Sequence, residues 1–413
     1  MKKTVWILNH YATAMYFDKG GRHYSLAKHL LSKGYKPIIV CSNIRHNSTD
    51  EIEIEKGVAV KRVVDHIPFI FVKTCKYGNS KKKRLISMFQ YYFDVLRIAD
   101  ALPRPDVIIG SSVHPLACIA ANQLSKRFHC KSICEIRDLW PESIAAYGIL
   151  NRNNPLMRLL YQGEKWIYKK ADEIVMTWPG GYDYIKHQKW DKQIPESKVT
   201  HISNGVDIKK FWENAKTYTL EDNDLKRKDR VKFVYTGSIR AVNNLKILVD
   251  AAELLQKGGE NRILILIWGD GDEREKLEKL VQGRGLQNIV FKGNVPKSYI
   301  PSILSQADIS ILHNTSTELD IYGQSQNKFF EYLAAGHPIL MTYAVGHSVV
   351  EEKQCGIEIE KQSPEEIAKA MELLSKLSKE EYQDYCIRAQ NAVKEYDFAA
   401  LGDKLIQVIE NTR

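Results

Sequence analysis

The sequence predicts an α/β protein made of two doubly wound, parallel-sheet domains in tandem. Three observations predict it. Short apolar runs alternate with stretches of helical spacing along most of the chain. Several of those runs are continuously apolar, as strands buried on both faces require. The pattern breaks at a polar, charged stretch, residues 207–230, and then restarts. A chain of 413 residues holds two such domains at roughly 100–200 residues each.

In the first half, Thr4–Leu8 (TVWIL) reads as a strand by its β-branched content. Arg22–Ser32 carries Leu26, Leu30 and Leu31 at helical spacing and is ended by Gly34. Further strands are expected at Pro37–Cys41, Asp106–Gly110, Ser132–Glu135, Glu173–Thr177 and Val199–Ser203, with a helix opening at Pro115. Residues 52–64 (IEIEKGVAVKRVV) alternate and read as an antiparallel hairpin addition. The second half repeats the scheme. Strands are expected at Lys232–Thr236, Ile263–Trp268, Ile289–Phe291, Asp308–Leu312 and Pro338–Met341, and helices over 244–256, 271–282 and 325–335. Residues 398–411 form an amphipathic helix with Leu401, Leu405, Val408 and Ile409 as its stripe. Two sheets of this kind are expected to face one cleft with their carboxyl-end edges, which suits a two-lobed enzyme or a two-lobed ligand-binding protein.

Apolar residues make up 44% of the chain and charged residues 27%, which excludes a disordered protein. The longest uncharged run, Val107–Ser125, contains several polar groups and a proline and is a poor bilayer span. No secretory signal is evident after Met1-Lys2-Lys3, and the seven scattered cysteines read as reduced thiols, so the expected compartment is the cytoplasm. The formal net charge of +10 is uneven. Residues 1–200 hold 32 Lys and Arg against 18 Asp and Glu, while residues 201–413 hold 28 against 32. A basic first half suggests an anionic partner: nucleic acid, membrane lipid or a phosphorylated substrate. No zinc finger, RNA-binding aromatic motif or recognition helix supports nucleic acid.

Candidate residues cluster at predicted strand ends. Gly20 and Gly21 precede the first long helix, where a backbone can approach a phosphate, although an ordinary loop would look the same. His114 lies just before Pro115, as a ligand contact or a packed imidazole. Asp138 follows the strand at 132–135 beside Arg137, as an active carboxylate or one half of an ion pair. Gly237, Ser238 and Arg240 follow the first strand of the second half, and Gly269 and Asp270 its second. Gln324, Ser325, Lys328 and Glu331 lie in or beside the helix over 325–335. Lys328 and Glu331 share a helical face, and the bland reading is a surface pair of about 0.3–0.5 kcal/mol.

Together these residues resemble glycosyltransferase family 4, the retaining GT-B transferases that use nucleotide-sugar donors. The resemblance rests on Gly20-Gly21, His114, the 137–142 stretch RDLWPE, the 203–207 stretch SNGVD, Tyr235-Thr236-Gly237, Gly269-Asp270-Gly271 and, most specifically, residues 328–338 (KFFEYLAAGHP). The stretch RDLWPES looks like the branch that builds bacterial surface polysaccharides such as O-antigen and capsule. The resemblance implies a GT-B architecture: an acceptor-binding domain at 1–206, a nucleotide-sugar-binding domain at 207–395, and a C-terminal helix, 396–413, crossing back to the first domain. It implies that Glu331 holds the donor ribose, that Gly20, Gly21 and Gly237 lie against the diphosphate, and that His114 touches the transferred sugar. On this basis His114, Asp138, Arg240 and Lys328 are the expected catalytic residues. Gly20, Gly21, Gly237, Ser238, Gly269, Asp270, Gln324, Ser325 and Glu331 are the expected donor-binding residues. The family commonly carries an Arg after the glycine matching Gly237 and a Lys five residues on; here Ser238 and Asn243 stand there, and Arg240 and Lys328 are the substitutes expected. The first Glu of the family's paired motif falls at Gly323.

The expected reaction is transfer of a sugar, with a UDP-linked N-acetylated sugar as the first guess, to a hydroxyl of a glycan or a polyprenyl-diphosphate-linked acceptor. No cofactor or metal is expected: Asp270-Gly271-Asp272 has carboxylate spacing but opens a helix beside the expected nucleotide loop. Rival readings are a sugar-nucleotide 2-epimerase of the same fold and a non-catalytic sugar-binding protein. Residues 67–97 set Lys73, Lys76, Lys81, Lys82, Lys83 and Arg84 beside Phe69, Ile70, Phe71, Met88, Phe89, Tyr91, Tyr92 and Phe93. Either this is a solvated loop and a core-facing helix, or it is a peripheral contact with the inner face of the cytoplasmic membrane on the acceptor side.

Overall fold

The computed structural model describes residues 2–78, 80–112 and 114–411. Positions 412 and 413 of the expected C-terminal segment lie outside the described residues. The chain forms two units, Met1–Ser203 with Phe398–Arg413, and Asn204–Asp397. The division comes three residues before the expected one, and the final helix, Phe398–Glu410, belongs to the first unit.

The first unit holds an eight-stranded sheet. Its strands are β1 (Thr4–Leu8), β2 (Lys36–Ser42), β3 (Ala59–Val64), β4 (Ile67–Val72), β5 (Val107–Ser112), β6 (Lys131–Ile136), β7 (Glu173–Met176) and β8 (Val199–His201), in the order β3-β4-β2-β1-β5-β6-β7-β8. Only β3 and β4 pair antiparallel. Side chains of β1 alternate between two cores, as the pleat dictates. Val5 and Ile7 pack with Leu26 and Leu30 of the helix Arg22–Ser32 and with Leu401 and Leu405 of the final helix. Trp6 and Leu8 pack with Tyr91 and Val95 of the helix Lys81–Ile98 and with Ala117 and Leu124 of the helix Leu116–Phe128.

The second unit holds six parallel strands: β9 (Val231–Thr236), β10 (Ile263–Trp268), β11 (Ile289–Gly293), β12 (Ile309–Leu312), β13 (Ile339–Met341) and β14 (Gly356–Glu358), in the order β11-β10-β9-β12-β13-β14. Again alternate residues serve opposite cores: Leu264, Leu266 and Trp268 face one, Ile263, Ile265 and Ile267 the other. Chain direction across each sheet reverses once beside its first strand, between β1 and β5 and between β9 and β12. Open α/β sheets take ligands at the carboxyl ends of strands flanking such a switch point.

Two expectations are corrected. The hairpin is Ala59–Val64 with Ile67–Val72, not 52–64, and it turns at Asp65 and His66, both at positive φ. Phe69, Ile70 and Phe71 therefore fill β4 and are buried, as is Tyr91, so none of them can form an exposed aromatic surface.

Candidate functional site

At the first switch point His10 follows β1 and His114 follows β5. Their rings meet, with His10 Nδ1 2.9 Å from His114 Nε2. His10 Nε2 lies 3.1 Å from Ser87 Oγ on the helix Lys81–Ile98. The His10 ring stacks on Tyr11 and Tyr91 at centroid distances of 4.6 and 4.8 Å. Burial lowers the pKa of both histidines, His114 to about 4, and Arg84 nearby adds to the effect. Both rings are thus neutral near pH 7. Arg84 turns inward, its Nε donating to Tyr11 Oη at 3.0 Å, and so leaves the basic surface group to which the sequence assigned it.

The short helix Thr13–Asp18 intervenes between β1 and Gly20-Gly21, so the glycines do not follow the strand directly. Gly21, at φ 94°, instead turns the chain so that Arg22 enters the interior. There Arg22 Nε donates to Glu135 Oε1 at 2.7 Å, and His23 and Ser111 bond Oε2 at 2.6 and 2.7 Å. Burial alone would raise the Glu135 pKa; Arg22 and His23 overcome it and hold the carboxyl well below its ordinary value. The remaining Arg22 donors reach the carbonyls of Ile202 and Ser203. This network ties β6, the strand-end residues after β8 and the first long helix together, and sequence reasoning missed it. Asp138 is exposed and, with Ser112, Pro115 and Trp140, lines a mostly apolar cavity of about 320 Å³.

On the helix Lys81–Ile98, Ser87, Tyr91 and Val95 face the core. The opposite face exposes Leu85 (55%), Ile86 (44%), Phe89 (44%) and Phe93 (61%), next to the exposed Lys81, Lys82 and Lys83. Among the described residues no helix is long and apolar enough to cross a membrane.

At the second switch point the helix Asn327–Ala335 presents Lys328 and Tyr332, four residues apart, to the end of β9. Lys328 Nζ lies 3.3 Å from Tyr235 Oη, 4.4 Å from that ring's centroid, and 2.9 Å from the carbonyl of His313 after β12. It makes no ion pair among the described residues, and the surface pair with Glu331 is not formed. Glu331 instead faces Lys297 at 3.6 Å. Desolvation pushes the Lys328 pKa down to about 7. Tyr235 Oη donates to the carbonyl of Ser238 at 3.0 Å, which brings Ser238 and Gly237 to the same place. Arg240 is exposed. Ser325 Oγ and carbonyl accept from Asn204 at 2.8 and 2.7 Å, and Gln324 Oε1 accepts from the Gln326 amide at 2.8 Å. Gly269 has a structural reason of its own: a Cβ there would sit 1.7 Å from the Gly237 carbonyl oxygen, because the loops after β9 and β10 stay in contact. Asp270 is exposed and caps the Gly271 amide at 2.9 Å. Among the described residues no three His, Cys, Asp or Glu side chains group as a metal site requires.

The family described as Glycosyltransferase Family 4 matches residues 22–210, and the one described as Glycosyl transferases group 1 matches residues 230–376. The chain belongs to glycosyltransferase family 4. Among curated proteins it is similar to the probable glycosyltransferase WbjE of Pseudomonas aeruginosa, with 21% identity over 68% of this chain and 70% of that one. It spans about half the length of the other curated relatives it matches. Among solved structures it resembles Anabaena HepE in complex with UDP and glucose, with 13% identity, 99% and 100% coverage and a TM-score of 0.64. WaaG, a glycosyltransferase involved in lipopolysaccharide biosynthesis, gives 14%, 99% and 100%, and 0.64. The fold is GT-B. In this family 4 member Ser238 and Asn243, which stand where cations are common, are tied together: Ser238 Oγ donates to Asn243 Oδ1 at 2.8 Å, and Asn243 Nδ2 to Asn314 Oδ1 at 3.3 Å. Lys328 reaches the same loop through Tyr235, whose hydroxyl donates to the Ser238 carbonyl.

Proposed function

We propose that this glycosyltransferase moves a sugar from a nucleoside diphosphate sugar to a hydroxyl of a glycan or polyprenyl-diphosphate-linked acceptor in polysaccharide synthesis, with retention and without a metal. The observation that carries the reading is Lys328. An amine held over a ring and a carbonyl, its pKa near 7 and no carboxylate paired with it, gains its partner when an anion arrives. A diphosphate supplies that anion. Charge developing on the leaving diphosphate is then stabilised by Lys328 and by backbone amides of the 237–240 loop, a preorganised field of the kind that contributes most in such sites. Glu331, partly enclosed and, among the described residues, paired only with the exposed Lys297, can accept from a ribose diol. His114 contacts the transferred sugar. The departing phosphate takes the acceptor proton on the same face, which retains the anomeric configuration. UDP and glucose in HepE, and lipopolysaccharide biosynthesis for WaaG, support the donor class and the pathway class.

The exposed face of the helix Lys81–Ile98 supports an acceptor met at a membrane. Three lysines near an anionic leaflet contribute about 1 kcal/mol each, and Phe89 and Phe93 suit the interface. Co-sedimentation is expected with anionic but not neutral liposomes. It should weaken with salt, and fall when Lys81, Lys82 and Lys83 become Ser. Wild-type protein that ignores anionic liposomes at low salt makes this face ordinary surface.

The test of the reaction is a thermal-shift screen of nucleoside diphosphate sugars, followed by transfer from the radiolabelled donor that binds. Transfer is expected to survive EDTA and to retain the anomeric configuration. Abolition by EDTA with rescue by Mg²⁺ contradicts metal independence, and conversion of the donor to its 2-epimer without acceptor favours the epimerase.

A further inference from the structure

The four ring nitrogens of His10 and His114 have an asymmetric set of partners. His114 Nε2 meets His10 Nδ1 at 2.9 Å, His10 Nε2 meets Ser87 Oγ at 3.1 Å, and His114 Nδ1 is buried with no partner. All three residues are buried. Each neutral imidazole carries one N–H, so only two proton arrangements satisfy the contact between the rings. In one, the Ser87 hydroxyl donates to His10 Nε2, His10 Nδ1–H donates to His114 Nε2, and the His114 proton sits on Nδ1. In the other every donor is reversed, and His114 Nδ1 holds a bare lone pair.

Ser87 decides between them. Among the described residues His10 is the only hydrogen-bond partner of its hydroxyl; no backbone carbonyl of its own helix accepts from it. The reversed arrangement makes Ser87 an acceptor and leaves two buried groups unpaired, the Ser87 proton and the His114 Nδ1 lone pair, whereas the first leaves only the His114 Nδ1–H, which a ligand oxygen can satisfy. The parallel rings of Tyr11 and Tyr91 hold the His10 plane, so it cannot swing to another partner without losing both stacks.

We infer that Ser87 and His10 lock His114 as its Nδ1–H tautomer, so that His114 meets its ligand as a neutral hydrogen-bond donor to an oxygen atom and not as a base. His10 and Ser87 are positioning residues. The inference rests on the proposed function only in taking that oxygen to be a hydroxyl of the transferred sugar. It also explains how a half of the chain rich in positive charge can offer an uncharged donor at its switch point.

The test reads the tautomer directly and needs no substrate. The protein is labelled with ¹⁵N-histidine, His114 is assigned by loss of its signals in His114→Gln, and long-range ¹H–¹⁵N correlations are recorded near neutral pH. A protonated, pyrrole-type Nδ1 and a pyridine-type Nε2 are expected for His114. Ser87→Ala should shift His114 toward the other tautomer, while Ser87→Thr, which keeps the hydroxyl, should not. A wild-type His114 protonated on Nε2, or a tautomer unchanged in Ser87→Ala, overturns the inference. Once a donor sugar is in hand, a second arm separates donation from base catalysis. His114→Asn keeps an N–H near the Nδ1 position and should retain kcat/KM within about tenfold, whereas His114→Asp should lose about 10- to 150-fold. The opposite ranking makes His114 a base. A wild-type protein that transfers no sugar sinks the proposed function and leaves the tautomer result standing.

Discussion

The two switch points use the same sheet geometry for opposite electrostatic ends. The first unit carries the chain's excess positive charge, yet between β1 and β5 it places a chain of uncharged groups, Ser87, His10 and His114. The second half is the more acidic one, yet between β9 and β12 it places an amine with no counter-charge, Lys328. Net charge per region therefore describes the surface, where lysines such as Lys81, Lys82 and Lys83 stand. What a ligand meets is set by which buried groups are compensated and which are not. In the first unit the buried carboxylate of Glu135 is spent on Arg22, His23 and Ser111. In the second unit the cation is held in reserve.

Three perturbations sharpen that contrast, in falling order of size. Glu135→Ala leaves Arg22 buried without its partner, and breaking such a pair costs about 3–5 kcal/mol. Urea denaturation followed by a probe in the first unit should show that loss, and unchanged stability would mean that the network is idle. If Glu331 holds the donor ribose as proposed, Glu331→Ala should cost a charge-assisted hydrogen bond of about 1.5–3 kcal/mol, or about 10- to 150-fold in kcat/KM. A well-folded mutant with wild-type donor affinity and turnover removes Glu331 from the site. The smallest effect is that of pH on Lys328. Its pKa in the folded protein, about 7, lies below the ordinary lysine value. Between those two values the unfolded chain binds the extra proton, so the stability of the free protein rises with pH across that window. Donor affinity moves the other way. The diphosphate needs the charged amine, so affinity should fall roughly tenfold per pH unit above 7 until the pKa of the bound state is reached.

Much of this fold was legible because buried parallel strands are written as short apolar runs. Thr4–Leu8 and Ile263–Trp268 appear with the bounds read from the sequence, and most other expected strands differ by one or two residues. The hairpin failed for a local reason. Its turn is Asp65-His66, both at positive φ, rather than a glycine-containing pair, and the alternation at 52–58 belongs to a loop. The same error turned β4, a fully apolar run, into part of an expected surface segment. At the site, spacing identified Lys328 and Glu331 as neighbours on one helical face, but not that Lys328 turns to Tyr235 and His313 while Glu331 turns to Lys297. His10 belongs to no motif in the sequence. The usable signal was its place: a histidine at the carboxyl end of the first strand of a doubly wound sheet stands at the switch point. Ser87 left no signal, because its role depends on a partner 77 positions away.

The central claim is that Lys328 is the uncompensated cation that receives the donor diphosphate. The direct measurement is calorimetric titration of a nucleoside diphosphate sugar, chosen because its diphosphate does not titrate between pH 6 and 9, into wild-type and Lys328→Met protein across that range. The account predicts tight wild-type binding at pH 6, weakening above pH 7, and about 10- to 150-fold weaker, pH-independent binding by Lys328→Met. It also predicts that the substituted protein melts at a higher temperature when empty, because a desolvated amine has been replaced by an apolar chain of similar length. Equal affinity for the two proteins, or a wild-type affinity flat from pH 6 to 9, would contradict it.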